Sequence, residues 1–470
     1  MKIHLAKSWL VLLLGVALLF PLVGCHRKKA PSPKELLQAR LAWNVKTLVT
    51  AYEKNPDSGL AGEESVKAAL AEFARIRANV CTPDEPWQEI IGTNCEAAVQ
   101  AGCDDPIIRY LYLRFSNAGN RLDAFAHAAA MLKVAEKIQG STYPAVRKFY
   151  AQFRAMQELN ESYQYRFTNM PPEAQSFINQ NDVMTDINEM LADSTLPLEE
   201  AYAACHELLD KTYNHDFYQC TFQNFENIFF TRWPDAALSS LFKGEGHYRL
   251  AWNARGGGYA DKVTEEGWKG FRDNLVVTEE ALNRAWKINP HDERTASLMV
   301  KVCEGAQKGR AEMELWFGRA MQLAPNNYEA CQSKLHFLYP QWYGSREDMI
   351  AFGRECVANE KWTGTVPLIL SDAHWEFARF LPEASDRTNY WKRPDVWLDV
   401  KASFDRFFEI NPDAVGWHHN YAWYAFQCGQ WKAFYSQLRQ FGGNTNYAYF
   451  GGKIIFDQML ETARAQSGQE

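Results

Sequence analysis

Three stretches of this chain end in the same way, and they constrain its fold more than anything else in it. Leu282-Asn-Arg-Ala-Trp-Lys-Ile-Asn-Pro290 returns as Phe317-Gly-Arg-Ala-Met-Gln-Leu-Ala-Pro325 and again as Phe404-Asp-Arg-Phe-Phe-Glu-Ile-Asn-Pro412. Each copy has a bulky apolar residue, a second core residue three positions on, an aliphatic residue three further, and a proline two beyond that. Apolar residues at this spacing share one helical face, and a proline cannot continue the helix. Pro290 and Pro325 lie 35 residues apart. A fixed spacing of that size marks stacked helical hairpins, each burying a face that it cannot bury alone.

The helical period runs through most of the chain. Leu36, Leu37, Leu41, Val45, Leu48 and Val49 recur on one face. Asp104-Asp105-Pro106 is a helix start, with acid at the N-terminus and proline in the first turn. No run alternates convincingly with period two, so the predicted class is all-α, an irregular α-solenoid of helical hairpins. The expected organisation is an N-terminal helical region over 35–235, a repeat region over 236–445 and a C-terminal tail over 446–470.

Ahead of these lies a different kind of segment. Lys2 and Lys7 make a short basic start, and Trp9 to Leu22 is an apolar run interrupted only by Gly15 and Pro21. Its length falls short of the ~20 residues that a membrane-spanning helix needs, and fits a signal-peptide core. It ends in Leu22-Val23-Gly24-Cys25. This resembles the lipobox of bacterial lipoproteins, which implies a signal peptide over 1–24 and diacylglycerol on the thiol of Cys25. Residues 25–34 then read as a lipidated tether. By the same resemblance the protein sits in the bacterial cell envelope, with His26 after the cysteine favouring the outer membrane in a Gram-negative cell.

Composition excludes one class of partner. The net charge is −7 and there is no long basic tract, which argues against nucleic acid. Nine further cysteines form no compact disulfide framework. Cys205–Cys220, or two of Cys81, Cys95 and Cys103, are the pairs that would be bridged if any are.

The hairpins resemble tetratricopeptide repeats. In Val415–Phe441, Tyr421 and Ala422 take the motif's first-helix packing positions, Gly429 the turn and Trp431 the aromatic after it. Leu438 and Phe441 take second-helix positions, while Phe434 stands where the motif wants alanine. The resemblance covers roughly 236–445 and, more weakly, 104–139. It implies a curved stack with first helices lining its concave side. In that register His419, Asn420, Trp423 and Gln427 form a candidate groove. The stretches Ala254–Tyr259 and Pro340–Ser345 are also similar to a bacterial family of helical repeats, a likeness that implies no activity.

Chemistry-bearing motifs are sparse. Gly256-Gly257-Gly258 lacks the spacing of a phosphate loop and reads as a turn. Cys205, His206, His215 and Cys220 match no zinc module, so no metal site is expected. Glu199-Glu200 and Glu279-Glu280 read as solvated helix surface. Neither a nucleophile elbow nor a triad is present, and the chain points to no catalytic residue and no cofactor. The expected function is therefore a lipid-anchored envelope scaffold that binds a protein or peptide in its groove. The alternative is an envelope glycan-binding protein, or an enzyme with its site in the N-terminal helical region. Replacing Cys25 by Ser is expected to abolish lipid labelling and release the protein from the membrane fraction. Retention on membranes would remove the basis for the anchor.

Overall fold

The computed structural model describes residues 33–54, 62–80, 85–119, 122–164, 180–441 and 445–467. The stretch that resembles a lipobox, Cys25, the expected tether before Pro33, and Cys81 lie outside them. Among the described residues there are helices and no strand, so the protein is all-α. The helices pack into two compact units, Met1–Asn179 and Gln180–Glu470.

In the first unit, α1 (Pro33–Val45) runs into a π-helical turn at Lys46–Thr50 and a last turn at Ala51–Glu53. It is followed by α2 (Glu63–Arg77), α3 (Trp87–Gln100), α4 (Pro106–Phe115), α5 (Ala124–Gln139) and α6 (Ala145–Gln164). The start of α4 is the one the sequence announces. Asp105 Oδ1 accepts from the backbone N–H of Ile107 and Ile108 at 2.9 and 3.1 Å, satisfying two donors that the first helical turn leaves open. Its other oxygen accepts from Tyr143 Oη at 3.0 Å, so one carboxylate caps α4 and holds the chain entering α6. Leu48, Leu70, Ile91, Leu111 and Met131 share the core. Cys95 and Cys103 are buried there as free thiols.

The second unit opens with α7 (Gln180–Ala192), α8 (Leu198–Asp210) and α9 (His215–Arg232). Hairpins follow: α10 (Ala237–Arg255) with α11 (Glu265–Ile288), and α12 (Glu293–Gly305) with α13 (Arg310–Leu323). Then come α14 (Tyr328–Phe337), α15 (Arg346–Ala358), α16 (Ile369–Arg379), α17 (Ala384–Trp391) and α18 (Pro394–Ile410). The last hairpin is α19 (His418–Gln427) with α20 (Trp431–Gln440), and α21 (Lys453–Ser467) follows. Helices α7 to α9, which the sequence reading groups with the N-terminal region, belong to this unit.

The three repeated stretches end their helices in one geometry. Asn289, Ala324 and Asn411, each followed by proline, have φ/ψ of −136/92°, −136/91° and −127/68°. Proline pushes the residue before it out of the helical region, and the same stop results each time. Leu282, Ala285, Phe317, Ala320, Phe404 and Phe407 are all buried. The third apolar position is not: Ile288 is 45% exposed, and Leu323 and Ile410 are half-buried.

Two elements depart from the sequence reading. An extra helix, α17, separates α16 from α18. Within the segment read as a C-terminal tail, α21 packs Phe456 and Met459 onto Phe434, Ala422 and Ala425 of the last hairpin. That explains Phe434, the residue that breaks the repeat motif: its ring is fully buried, 5.6 Å from that of Phe426, in a core completed by the capping helix. Glu200, read as solvated, is fully buried.

The closest helix contacts need glycine. A Cβ on Gly246 of α10 would lie 1.9 Å from the Phe222 ring of α9, and one on Gly244 would lie 2.7 Å from Leu282. Gly318, on α13, has nothing within 4 Å of such an atom. Gly246→Ala is therefore expected to cost about 1–3 kcal/mol of stability by overpacking. Gly318→Ala should gain roughly 0.5–1 kcal/mol from helix propensity. Urea unfolding of both variants checks the pair; equal shifts would contradict the packing.

Candidate functional site

The first helices of the second unit turn polar stripes toward one groove. Along α10, Glu245, Tyr248, Arg249 and Trp252 recur at i, i+3, i+4 and i+7, which places them on one stripe. On α12 the same spacing holds Arg294, Ser297, Leu298 and Lys301. On α14 it holds Glu329, Gln332, Ser333 and His336, and on α16 it holds Asp372, Trp375 and Glu376. These stripes, with Tyr202 and His206 of α8, line one groove of about 1600 Å3. The second helices carry the apolar packing behind it.

Tyrosine–carboxylate bonds tie neighbouring first helices together along the groove. Tyr202 Oη of α8 donates to Glu245 Oε1 of α10 at 2.7 Å. Tyr328 Oη of α14 donates to Asp372 Oδ2 of α16. Between them His336 Nδ1 lies 2.5 Å from the buried carboxylate of Glu304. A buried carboxylate is tolerated only with such partners. Those partners do not satisfy every atom, since Glu245 Oε2 is shielded from solvent and has no hydrogen-bond partner among the described residues.

Burial shapes the titration of these groups. It raises the carboxyl of Glu245 above its ordinary value, against the opposing influence of His206, the Tyr202 hydroxyl and Arg294. It pushes Asp372 up to about 6, with Tyr328 opposing and Glu376 adding to the rise. Burial, seconded by Asp372, likewise raises the Tyr328 phenol. The cations of the groove are already engaged. Arg294 forms a 2.6 Å ion pair with Asp292, and Lys301 pairs with Glu329 at 2.6 Å. Arg249 donates to the backbone oxygens of Leu209 and Thr212.

The four residues that the repeat register proposes lie on α19, and none of them lines this groove. His419 is buried, with its ring stacked 3.9 Å from that of Phe441. Its Nε2 accepts the Asn446 N–H at 3.1 Å, which leaves Nδ1 to donate to Gly416 O at 3.0 Å. One ring nitrogen thus holds the C-terminal segment in place, and the other ties the ring to the turn before α19. Asn420 and Gln427 are half-buried. Trp423 comes nearest to the groove, its ring edge-on to that of Trp375 at 5.1 Å. Trp375 itself is 43% exposed. Trp316 is buried against Trp286.

Other sequence candidates are dispersed. Cys205 is fully buried, Cys220 is exposed, and both thiols are free. No group of three or more His, Cys, Asp or Glu among the described residues could hold a metal ion. Gly256 takes φ +73° in a turn whose carbonyls at Gly256 and Gly258 accept from Arg255. The groove residues were missed because each stripe is short and lies on a separate helix. Only the recurrence of i, i+3, i+4 polar positions on first helices signals them.

The class that this architecture defines is an all-α protein of packed helices, with a polar groove lined by α8, α10, α12, α14 and α16. A scan against models of protein families and a search of curated proteins both find no match to the chain.

Asp372 supplies a test of the groove's electrostatics. Its folded-state pKa of about 6 lies above the ordinary 3.8, so the protonated acid favours the fold. That contribution is complete below the ordinary value and is lost as pH rises through about 6. Asp372→Asn, which keeps a neutral group, is expected to match the native protein at pH 4. At pH 7 it should exceed the native protein by up to roughly 3 kcal/mol. Chemical unfolding at the two pH values measures this, and a pH-independent difference would contradict it.

Proposed function

We propose that this protein is a lipid-anchored scaffold of the bacterial cell envelope that holds a segment of a partner protein along the groove. The hairpins serve as a tetratricopeptide-like frame, and the acylated Cys25 serves as the anchor. The observation that carries the reading is the groove itself, some 1600 Å3 in volume and lined from successive first helices. Small-molecule sites occupy roughly 300–1,000 Å3. A longer, polymeric occupant suits a groove that continues from one repeat to the next. Exposed Trp375 gives it an aromatic anchor of the kind that dominates binding at interfaces.

The anchoring rests on the pattern Lys2, Lys7, Trp9–Leu22 and Leu22-Val23-Gly24-Cys25. No helix among the described residues is long and apolar enough to cross a membrane. A photo-crosslinking amino acid at position 375 in cells is expected to yield a discrete adduct with a second protein. The same residue at exposed position 318, on second helix α13, should yield none. Identical adducts at both positions, or none at 375, would overturn the reading. Saturable binding of purified envelope polysaccharide, without a protein adduct, would assign the groove to glycan instead.

A further inference from the structure

The groove's charge indicates what kind of segment it accepts. Seven carboxylates line it against three lysine or arginine side chains. Each of those three is already held, by Asp292, by Glu329 or by backbone oxygens. Some carboxylates are held as well, Glu304 by His336, Glu329 by Lys301 and Glu376 by Arg379 at 3.2 Å, but the acid remains in excess. Glu245 keeps one shielded oxygen without a donor. Asp372 and Glu376 stand four residues apart on either side of Trp375, whose ring is the exposed aromatic of the groove. Carboxylates flanking an aromatic face are the environment that attracts an ammonium or guanidinium group, through charge and through the ring's negative face.

Resting on the groove reading above, we propose that its occupant is an extended segment bearing lysine or arginine side chains, one of which seats between Asp372, Glu376 and Trp375. The apolar stem of such a side chain can lie along the indole while its head reaches the carboxylates. A neutral or acidic segment would leave these shielded carboxylates without new donors, which is costly in a low-dielectric groove. Burial disfavours ionisation at Asp372, and an arriving cation offsets it. The groups facing Asp372 are Tyr328 and Tyr339 from α14 and the turn after it, Glu376 on its own helix, and Tyr424 from α19. Glu304, His336, Lys301 and Glu329 lie further along. Of the groups facing it, the tyrosines stay protonated across the neutral range, so binding of a cation is expected to strengthen as pH rises from 5 to 7.

The test uses the purified protein and three capped twelve-residue peptides built on repeats of Lys-Tyr-Ser, Gln-Tyr-Ser and Glu-Tyr-Ser. Fluorescence anisotropy is expected to show the lysine peptide binding at least about tenfold tighter than the glutamine one at low salt, with the advantage shrinking at high salt. Asp372→Asn/Glu376→Gln should remove that advantage and its pH dependence. Trp375→Ala should weaken lysine and glutamine peptides alike, and far-UV circular dichroism verifies that both variants are folded. Equal binding of lysine and glutamine peptides, lost in Trp375→Ala, would overturn the cationic occupant while keeping the groove. If no peptide of any class binds, both readings fall.

Discussion

A helix that must stop two residues before a proline is the constraint on which the repeat region depends. Pro290, Pro325 and Pro412 force Asn289, Ala324 and Asn411 into nearly the same extended backbone, because the ring of proline collides with a helical residue before it. Each second helix therefore ends at a set distance beyond its last buried pair: Leu282 and Ala285, Phe317 and Ala320, Phe404 and Phe407. The chain leaves each hairpin in the same direction and starts the next first helix beside the last. Stacking follows, since a hairpin cannot bury both faces by itself.

The groove is the other side of that arrangement. With second helices carrying the apolar packing, first helices keep one polar stripe free, and stacking aligns the stripes. Alignment brings tyrosine hydroxyls of one first helix against carboxylates of its neighbour, as in Tyr202 with Glu245 and Tyr328 with Asp372. These bonds satisfy part of each carboxylate and hold it at the floor, where burial disfavours its ionised form. The cost in stability is concentrated where ligand chemistry would be expected. Further along the array a different solution applies. His419 spends both ring nitrogens on backbone groups, and Phe434 fills the core that α21 closes.

Much of the fold was legible from local pattern. The helix start at Asp105 and the stops before Pro290, Pro325 and Pro412 follow from capping residues, proline and apolar spacing alone. The extra helix α17 and the capping helix α21 were not read. Their apolar residues face cores assembled from distant parts of the chain, so neither carries a repeat signature of its own. Glu200 was misread for a related reason. A pair of carboxylates on a helix looks solvated until the neighbouring helices decide which face is inside.

The sequence by itself determined the helical class, the repeated stop and the polar stripes, because each depends on residues within a turn or two of one another. The stretch Leu22-Val23-Gly24-Cys25 that resembles a lipobox is likewise a short linear pattern. Only the tertiary structure decided which stripes meet. His419 and Trp423 lie on one helix, yet packing gives one to the C-terminal segment and sets the other edge-on against Trp375. Tyr328 and Asp372 lie 44 residues apart, and nothing local pairs them. Their contact exists because stacking lays one first helix beside the next, and the character of the groove comes from that contact.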